Sequence, residues 1–555
     1  MLHMQRYKEW LNNPALGEAA RDELASISAD EKEIAERFHK DLEFGTGGLR
    51  GIIGAGTNRM NIYTVRRASQ GLADYILQTA PEAAGRGVAI SYDSRNLSKD
   101  FALQTALIMV QNGIKAYVFE DMRPTPQLSF AVRELNCIAG VMITASHNPP
   151  EYNGYKAYWE DGGQLAFPQD EEVIGYVNKI DNPAALKVAD EVAARRNGHL
   201  VFLGAEMDKK YLARVGELAL NPEIVAKMAD DFTIVYTPLY GAGRMPVTRA
   251  LENAGFKNVH LVQAQALPNP QFPSLKYPNP EDPAAFTLAI EEGEIRNADI
   301  VIATDPDADR VGAMIKNASG KFELLSGNAV GVLLAEYILS QKTFEKAGII
   351  STFVSTRLTA EIAKFYGVGY VETFTGFKNI AAEIRRWEAD GSHNYIYGFE
   401  ESFGYLAGDF ARDKDAISAS MLICEAAAFY KSQGKTLFDA LNDIYARHGH
   451  FREITHSITL PGLDGAAKIR EMMANLRENP PAALAETAIT EIRDYAKHTP
   501  PSNMLYFSLA DGSWFCVRPS GTEPKIKIYL GTKAQNASEA DEKLQTYSEI
   551  LRNYM

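Results

Sequence analysis

The sequence predicts an α/β protein built from three topologically related units, followed by a C-terminal domain of α+β make. Three observations carry this. A pattern of strand, helix, short strand and strand recurs three times between residues 87 and 404. Each pass ends in a polar loop rich in reactive side chains. Beyond about residue 440 the pattern gives way to paired strands with alternating side chains. At roughly 150 residues per domain, a chain of 555 residues makes three to four domains, and 46% apolar residues supply a core for each.

The first pass runs through GVAISYDSR (87–95), NGIKAYVFE (112–120) and GVMITASHNP (140–149). The second comprises FTIVYTPLYG (232–241), AGFKNVHLV (254–262) and DIVIATDPDADR (299–310). The third comprises GIISTFVSTR (348–357), YGVGYVETF (366–374) and NYIYGFEESFG (394–404). Short β-rich runs separated by helical stretches read as α/β units with a largely parallel sheet. The first 40 residues read as helical and polar, with no assigned chemistry. LPNPQFPSLKYPNPEDP (267–283) holds six of the 25 prolines and reads as an ordered loop inside the second unit rather than a linker. SWFCVRPSGTEPKIKIYLGT (513–532) reads as two strands flanking a tight loop, with Lys525, Ile526, Lys527 and Ile528 alternating. The expected domains are 1–205, 206–318, 319–440 and 441–555.

A balance of 57 Lys+Arg against 71 Asp+Glu, net −14, speaks against non-specific nucleic-acid binding. Cys137, Cys424 and Cys516 lie far apart without CxxC spacing, so neither a disulfide framework nor a zinc cluster is expected, which suits a reducing cytosol. The start, MLHMQRYKEWLNN, lacks the apolar stretch of a signal peptide. No apolar run approaches the ~20 residues that span a bilayer. The expectation is a cytoplasmic protein with no nucleic-acid or membrane partner, and nothing in the pattern fixes an oligomeric state.

In open α/β sheets ligands bind beyond the C-terminal ends of the strands, so three such loops facing one crevice make a composite site. Asp305, Asp307 and Asp309 follow the apolar strand ADIVIAT, and three carboxylates at alternate positions repel one another unless a cation lies between them. Hard oxygen ligands favour Mg²⁺ or Ca²⁺. An EF-hand is ruled out, because its sixth position is Arg310 instead of Gly and its twelfth is Lys316 instead of Glu. A solvated acidic turn is the plainer alternative. Thr144-Ala145-Ser146-His147-Asn148-Pro149 is no nucleophile elbow, since GxSxG needs Gly at 144 and 148. Adjacent Ser and His side chains rarely pair, and an ordinary Asn-Pro turn competes; its place in the repeat argues for function.

Arg518, Ser520, Gly521 and Thr522 offer a guanidinium fork, two hydroxyls and a permissive backbone, an inventory suited to phosphate. The Gly-rich segment 44–51 fails GxGxxG because Arg50 takes the third Gly position. Gly241-Ala242-Gly243 fails through Pro246, so no dinucleotide cofactor is expected. Arg50 is instead free to touch an anionic substrate. Gly398-Phe399-Glu400-Glu401-Ser402 pairs carboxylates with a hydroxyl, a set suited to sugar hydroxyls or to a surface acidic turn.

Eight motifs stand in order along the chain: FGTGGLRG, YDSR, TASHNPPEYNGYK, DPDADR, TGFK, GFEESFGY, RDKDA and RPSGTEPKIK. Together they resemble the α-D-phosphohexomutase superfamily, and within it the long bacterial phosphoglucomutases. The resemblance implies three α/β domains with mixed sheets plus the C-terminal domain, around a central cleft. It makes Ser146 the phosphoserine, and has Asp305, Asp307 and Asp309 hold one Mg²⁺ per chain together with the phosphate on Ser146. Glu400 and Ser402 would bind sugar hydroxyls, and Arg518, Ser520, Gly521 and Thr522 the phosphate that is not reacting. Arg50, His147, Lys156, Arg310 and Lys378 would assist at the reacting phosphoryl or the substrate. Some short members carry His where this chain has Gly404.

The implied reaction interconverts α-D-glucose 1-phosphate and glucose 6-phosphate through a phosphoserine, with glucose 1,6-bisphosphate as intermediate and activator. Lys156 would relay the hydroxyl proton if its pKa were lowered. Closure of the fourth domain would exclude water. Mannose and pentose phosphates are alternative substrates. A haloacid-dehalogenase-type phosphatase would use Asp305 as nucleophile but wants Thr or Val at position 309. A non-catalytic phosphosugar-binding protein would not retain every reactive side chain.

Overall fold

The computed structural model describes residues 2–43, 48–460, 463–499, 501–519 and 525–554. Its first sheet contains β1 (Leu49–Ile52), β2 (Val88–Tyr92), β3 (Ala116–Phe119), β4 (Ala139–Ile143), β5 (Tyr152–Trp159) and β6 (Leu200–Leu203), in the order β1-β5-β4-β2-β3-β6. The second contains β7 (Thr233–Thr237), β8 (Asn258–Leu261), β9 (Ile300–Thr304), β10 (Val311–Lys316) and β11 (Phe322–Leu324), ordered β11-β10-β9-β7-β8. The third contains β12 (Ala347–Thr352), β13 (Gly369–Thr373), β14 (Asn394–Glu400) and β15 (Gly404–Ala407), ordered β13-β12-β14-β15.

One four-strand arrangement recurs in all three sheets. Three parallel strands carry an antiparallel return strand, β5 on β4, β10 on β9 and β15 on β14. The predicted triplication is therefore present, and the return strands make each sheet mixed rather than largely parallel. Composition explains the centre of each sheet. VAISY, AGVMI, IVIAT and AGIIST are near-continuous apolar runs, and every residue of β2, β4, β9 and β12 is buried, as strands covered on both faces require. The edge strands β8 and β13 are half-buried along their whole length.

A single apolar core passes through all three units, from Phe130 and Tyr211 through Tyr236 and Ile302 to Tyr397 and Phe399. This continuity fixes the three loops relative to one another. The fourth sheet is antiparallel throughout: β16 (His450–Thr459), β17 (Ala483–Leu484), β18 (Thr487–Asp494), β19 (Leu505–Leu509), β20 (Trp514–Pro519) and β21 (Lys525–Ala534), ordered β16-β21-β20-β19-β18-β17. It has its own core, around Phe507, Phe515 and Ile528. An aromatic seam joins it to the third unit, with Tyr495 4.9 Å from Phe353 and 5.1 Å from Phe374, centroid to centroid.

The β10–β11 hairpin carries the second unit to Leu324, past the expected boundary at 318, and helix Leu437–His448 runs through the one at 440. The proline-rich segment packs on the second unit, its fully buried Phe272 lying 6.3 Å from the Tyr240 ring, and also meets the first unit, whose Arg95 guanidinium lies 5.1 Å from the Phe272 ring centroid. Among the described residues no helix is long and apolar enough to cross a membrane.

Candidate active site

The loop from β4 to β5 places Ser146 at φ +52°, a left-handed conformation uncommon for a non-glycine residue. Its N–H donates to Thr144 Oγ1 at 2.8 Å. The YDSR motif, to which the sequence attached no role, supports this loop from below. Asp93 accepts from Thr144 Oγ1 at 2.7 Å and from Ser98 Oγ at 2.8 Å. Arg95, buried beside Asp93, spreads its fork over the carbonyls of Ser146, Asn148, Pro149 and Tyr152. A planar guanidinium bound this way holds the loop backbone at several points at once.

The loop from β9 to β10 meets Ser146 directly: its Oγ donates to Asp305 Oδ2 at 2.7 Å, across 159 residues of sequence. Asp305, Asp307 and Asp309 are buried and bring carboxylate oxygens within 4.8 Å of one another. Oδ1 of Asp307 and Oδ1 of Asp309 are buried without a hydrogen-bond partner, an arrangement that costs stability unless a cation satisfies them. Three hard oxygen donors with two orphaned atoms fit a divalent metal.

Charge is divided unequally here. Burial, then Asp307 and Asp309, push the Asp305 carboxyl well above its ordinary range. Burial pushes Asp309 up too, but Lys414, Lys156 and Arg310 hold it below. Lys156, on β5, reaches Asp307 at 2.8 Å and Asp309 at 3.2 Å. Burial pulls its ammonium down, yet these two acids outweigh that, so its pKa is raised, the reverse of the lowering a proton relay at Lys156 would need. Burial, then Arg310 and Arg50, push the His147 imidazole well below its ordinary value. Its Nδ1 lies 3.2 Å from Ser146 Oγ, the pairing that adjacency in sequence argued against.

A cleft of about 420 Å³ opens onto Ser146. Arg50, Lys156, Arg310, Lys378 and Arg518 all line it, so the predicted cations converge. Arg50 donates to Asn148 Oδ1 at 3.0 Å, Arg310 pairs with Glu281 of the proline-rich segment, and Arg518 bonds Thr375 Oγ1. Glu400 and Ser402 line the cleft as well, with Glu400 accepting the Gly376 N–H at 2.6 Å. Glu401 is turned behind the loop to Thr352 and Ser355, at 3.2 and 3.3 Å, and burial, then Glu400, pushes its carboxyl up to about 7. Ser520, Gly521 and Thr522 lie outside the described residues.

Sequence reasoning missed Lys414, which lines the cleft and lies 3.2 Å from Asp309. Its path explains Gly404, where an added Cβ would come within 1.9 Å of Lys414 Cδ. Thr125, donating to Asp307 Oδ2 at 2.9 Å, was also missed. The RDKDA motif was the available signal for Lys414. Its Asp415 instead caps helix Ala416–Ser432, accepting from the N–H groups of Ile417 and Ser418.

Three copies of one α/β topology bring Ser146, Asp309 of the acidic triad, and Glu400 with Ser402 to one cleft, in a phosphohexomutase-class enzyme. The chain belongs to the phosphoglucomutase/phosphomannomutase family. It matches that family's α/β/α domain I over residues 41–184, domain II over 209–320, domain III over 326–448 and the C-terminal domain over 473–545. A phosphoglucomutase of Staphylococcus aureus strain MSSA476 is 36% identical over 527 residues, 92% of this chain and 93% of its own. One from Staphylococcus haemolyticus is 36% identical over 532 residues, 92% and 94% of the two chains. Two solved structures share the fold. A phosphoglucomutase/phosphomannomutase family protein from Burkholderia thailandensis has a TM-score of 0.67 at 17% identity, covering 92% of this chain and 97% of its own. The open form of parafusin, a phosphoglucomutase from Paramecium, has a TM-score of 0.69 at 18% identity, covering 92% and 94%.

Proposed function

We propose that the protein is a phosphoglucomutase that interconverts α-D-glucose 1-phosphate and glucose 6-phosphate through phospho-Ser146 and glucose 1,6-bisphosphate. The observation that carries this is the 2.7 Å hydrogen bond from Ser146 to Asp305, inside the acidic triad and at the floor of a cation-lined cleft. The relatives bearing that name support the choice of sugar, as does Gly404 in the sugar loop. Three buried free thiols suit a reducing compartment, and we assign the enzyme to the cytoplasm.

Asp305, Asp307 and Asp309, with the seryl phosphate, would hold one Mg²⁺, which when bound neutralises phosphoryl charge. The protein's own part is positioning and electrostatics, which is most of what phosphoryl transfer requires. Arg50, Lys156 and Arg310 surround the phosphoryl group, and Glu400 and Ser402 take sugar hydroxyls. Arg518, with Ser520, Gly521 and Thr522, holds the phosphate that is not reacting. The bond from phosphorus to Ser146 Oγ breaks as one to O6 of glucose 1-phosphate forms. The O6 hydroxyl gives up its proton, and Oγ gains one. His147 Nδ1, 3.2 Å from Oγ, is in reach to move that proton. The bisphosphate then turns over in the cleft and returns its other phosphoryl to Ser146.

Labelling with radioactive glucose 1,6-bisphosphate tests the reading. The expected label is acid-stable, resists hydroxylamine and disappears in Ser146→Ala. A hydroxylamine-sensitive label that survives in that variant would make Asp305 the nucleophile and sink the mutase. Glucose 1-phosphate should show the highest kcat/KM among glucose, mannose and ribose 1-phosphates. A pentose preference above about tenfold would overturn the substrate assignment.

A further inference from the structure

The wall of the cleft formed by residues 164–171 of the first unit takes no part in the phosphoryl chemistry above. Two features make it unlike the rest. Phe167 lines the cleft with 39% of its surface exposed, an aromatic side chain at the cleft wall that the fold leaves partly uncovered. Three residues on, Asp170 Oδ2 lies 2.8 Å from Lys378 Nζ, an ion pair between the first and third units whose side chains are only 18% and 12% exposed.

The pair has a chemical consequence. A carboxylate facing the cleft repels phosphate, and by neutralising Lys378 it removes the attraction a free ammonium would exert. What remains is a donor beside an acceptor, the complement of a hydroxyl, which both gives and takes a hydrogen bond. An exposed aromatic face beside it is apolar surface that a flat C–H-rich ring covers favourably. The neighbouring residues tie this corner to the groups already described, because the Gly376 N–H donates to Glu400 and Thr375 Oγ1 accepts from Arg518.

We propose that Phe167 and Asp170 form, with Lys378, a sugar-ring subsite of the mutase. In it Phe167 covers the apolar face of the ring, and one ring hydroxyl donates to Asp170 while accepting from Lys378. The substrate class rests on the functional reading above. The subsite adds specificity determinants from the phosphoserine unit to those of the sugar loop.

Steady-state kinetics with glucose 1-phosphate and its monodeoxy analogues at each ring hydroxyl test this in wild type, Phe167→Ala, Phe167→Tyr and Asp170→Asn. Phe167→Ala raises KM about tenfold with kcat within about threefold, and Phe167→Tyr restores KM. In wild type one analogue loses about tenfold in kcat/KM, and that penalty vanishes in Asp170→Asn. A purely structural role would leave the analogue pattern unchanged. An unaltered KM in Phe167→Ala, or the same analogue penalties in Asp170→Asn as in wild type, overturns the subsite while the mutase stands. A wild type with no turnover of any hexose 1-phosphate removes the functional reading and this inference together.

Discussion

The loops after β9 and β14 occupy the same place in a shared topology, yet they use their acids in opposite ways. Both join a parallel strand to its antiparallel return, and both bend through one left-handed non-glycine residue, Ala308 at φ +47° and Phe403 at φ +63°. In the first, Asp305, Asp307 and Asp309 alternate, and all three converge on one buried point beside Ser146. In the second, Glu400 and Glu401 are consecutive, so one carboxylate lines the cleft while the other turns behind it to Thr352 and Ser355. One backbone device thus gathers three carboxylates at one buried point or splits two between the cleft and the loop behind it, according to the spacing of the acids.

Breaking the cage has the largest effect. Asp307→Asn lowers kcat on the order of 10³-fold, because it removes a hard ligand and unbalances Lys156. Chelation of wild type abolishes turnover and Mg²⁺ restores it, whereas excess Mg²⁺ does not rescue the variant. Activity of Asp307→Asn within tenfold of wild type would count against a metal cage.

The next effect separates the two return strands. Gly404 at the start of β15 makes room for Lys414 to reach Asp309, so Gly404→Ala displaces that ammonium. The expected loss in kcat/KM is on the order of tenfold. An unchanged kcat/KM would mean that Lys414 contributes little from its present position.

The smallest effect concerns Glu401. Its carboxyl is raised from 4.5 to about 7, so the folded protein keeps a proton that the unfolded chain has lost. Its contribution therefore makes stability fall as pH rises from about 4.5 to about 7, and none of the slope remains outside that window. Glu401→Gln narrows the gap in Tm between pH 5 and pH 8 and keeps kcat/KM within about threefold. An equal Tm gap in both proteins would refute the assignment.

Much of this was legible in the sequence, for identifiable reasons. The apolar runs of β2, β4, β9 and β12 exceed what any solvent-facing strand would carry, and the reactive loops follow them directly. Eight ordered motifs then fixed the family. Less legible were residues whose work is done through contact. Asp93 and Arg95 look like a turn until their bonds to the Ser146 loop are seen. Lys414 sits in a charged stretch whose neighbours, Asp413 and Asp415, mask its direction. The raised pKa of Lys156 likewise depends on the two acids it meets across 151 and 153 residues.

By itself the sequence determined local matters: strand burial, the three-fold recurrence, and the placement of a serine, alternating acids and a paired-glutamate loop at strand ends. Periodicity and side-chain chemistry act over a few residues, and so can be read from them. The tertiary structure alone decided which charges meet. The shared core of the first three units brings Ser146 to Asp305, Lys156 to Asp307 and Asp170 to Lys378, and the aromatic seam sets Arg518 beside Thr375. Such pairings depend on how packed layers are oriented, and no short window of sequence contains that orientation.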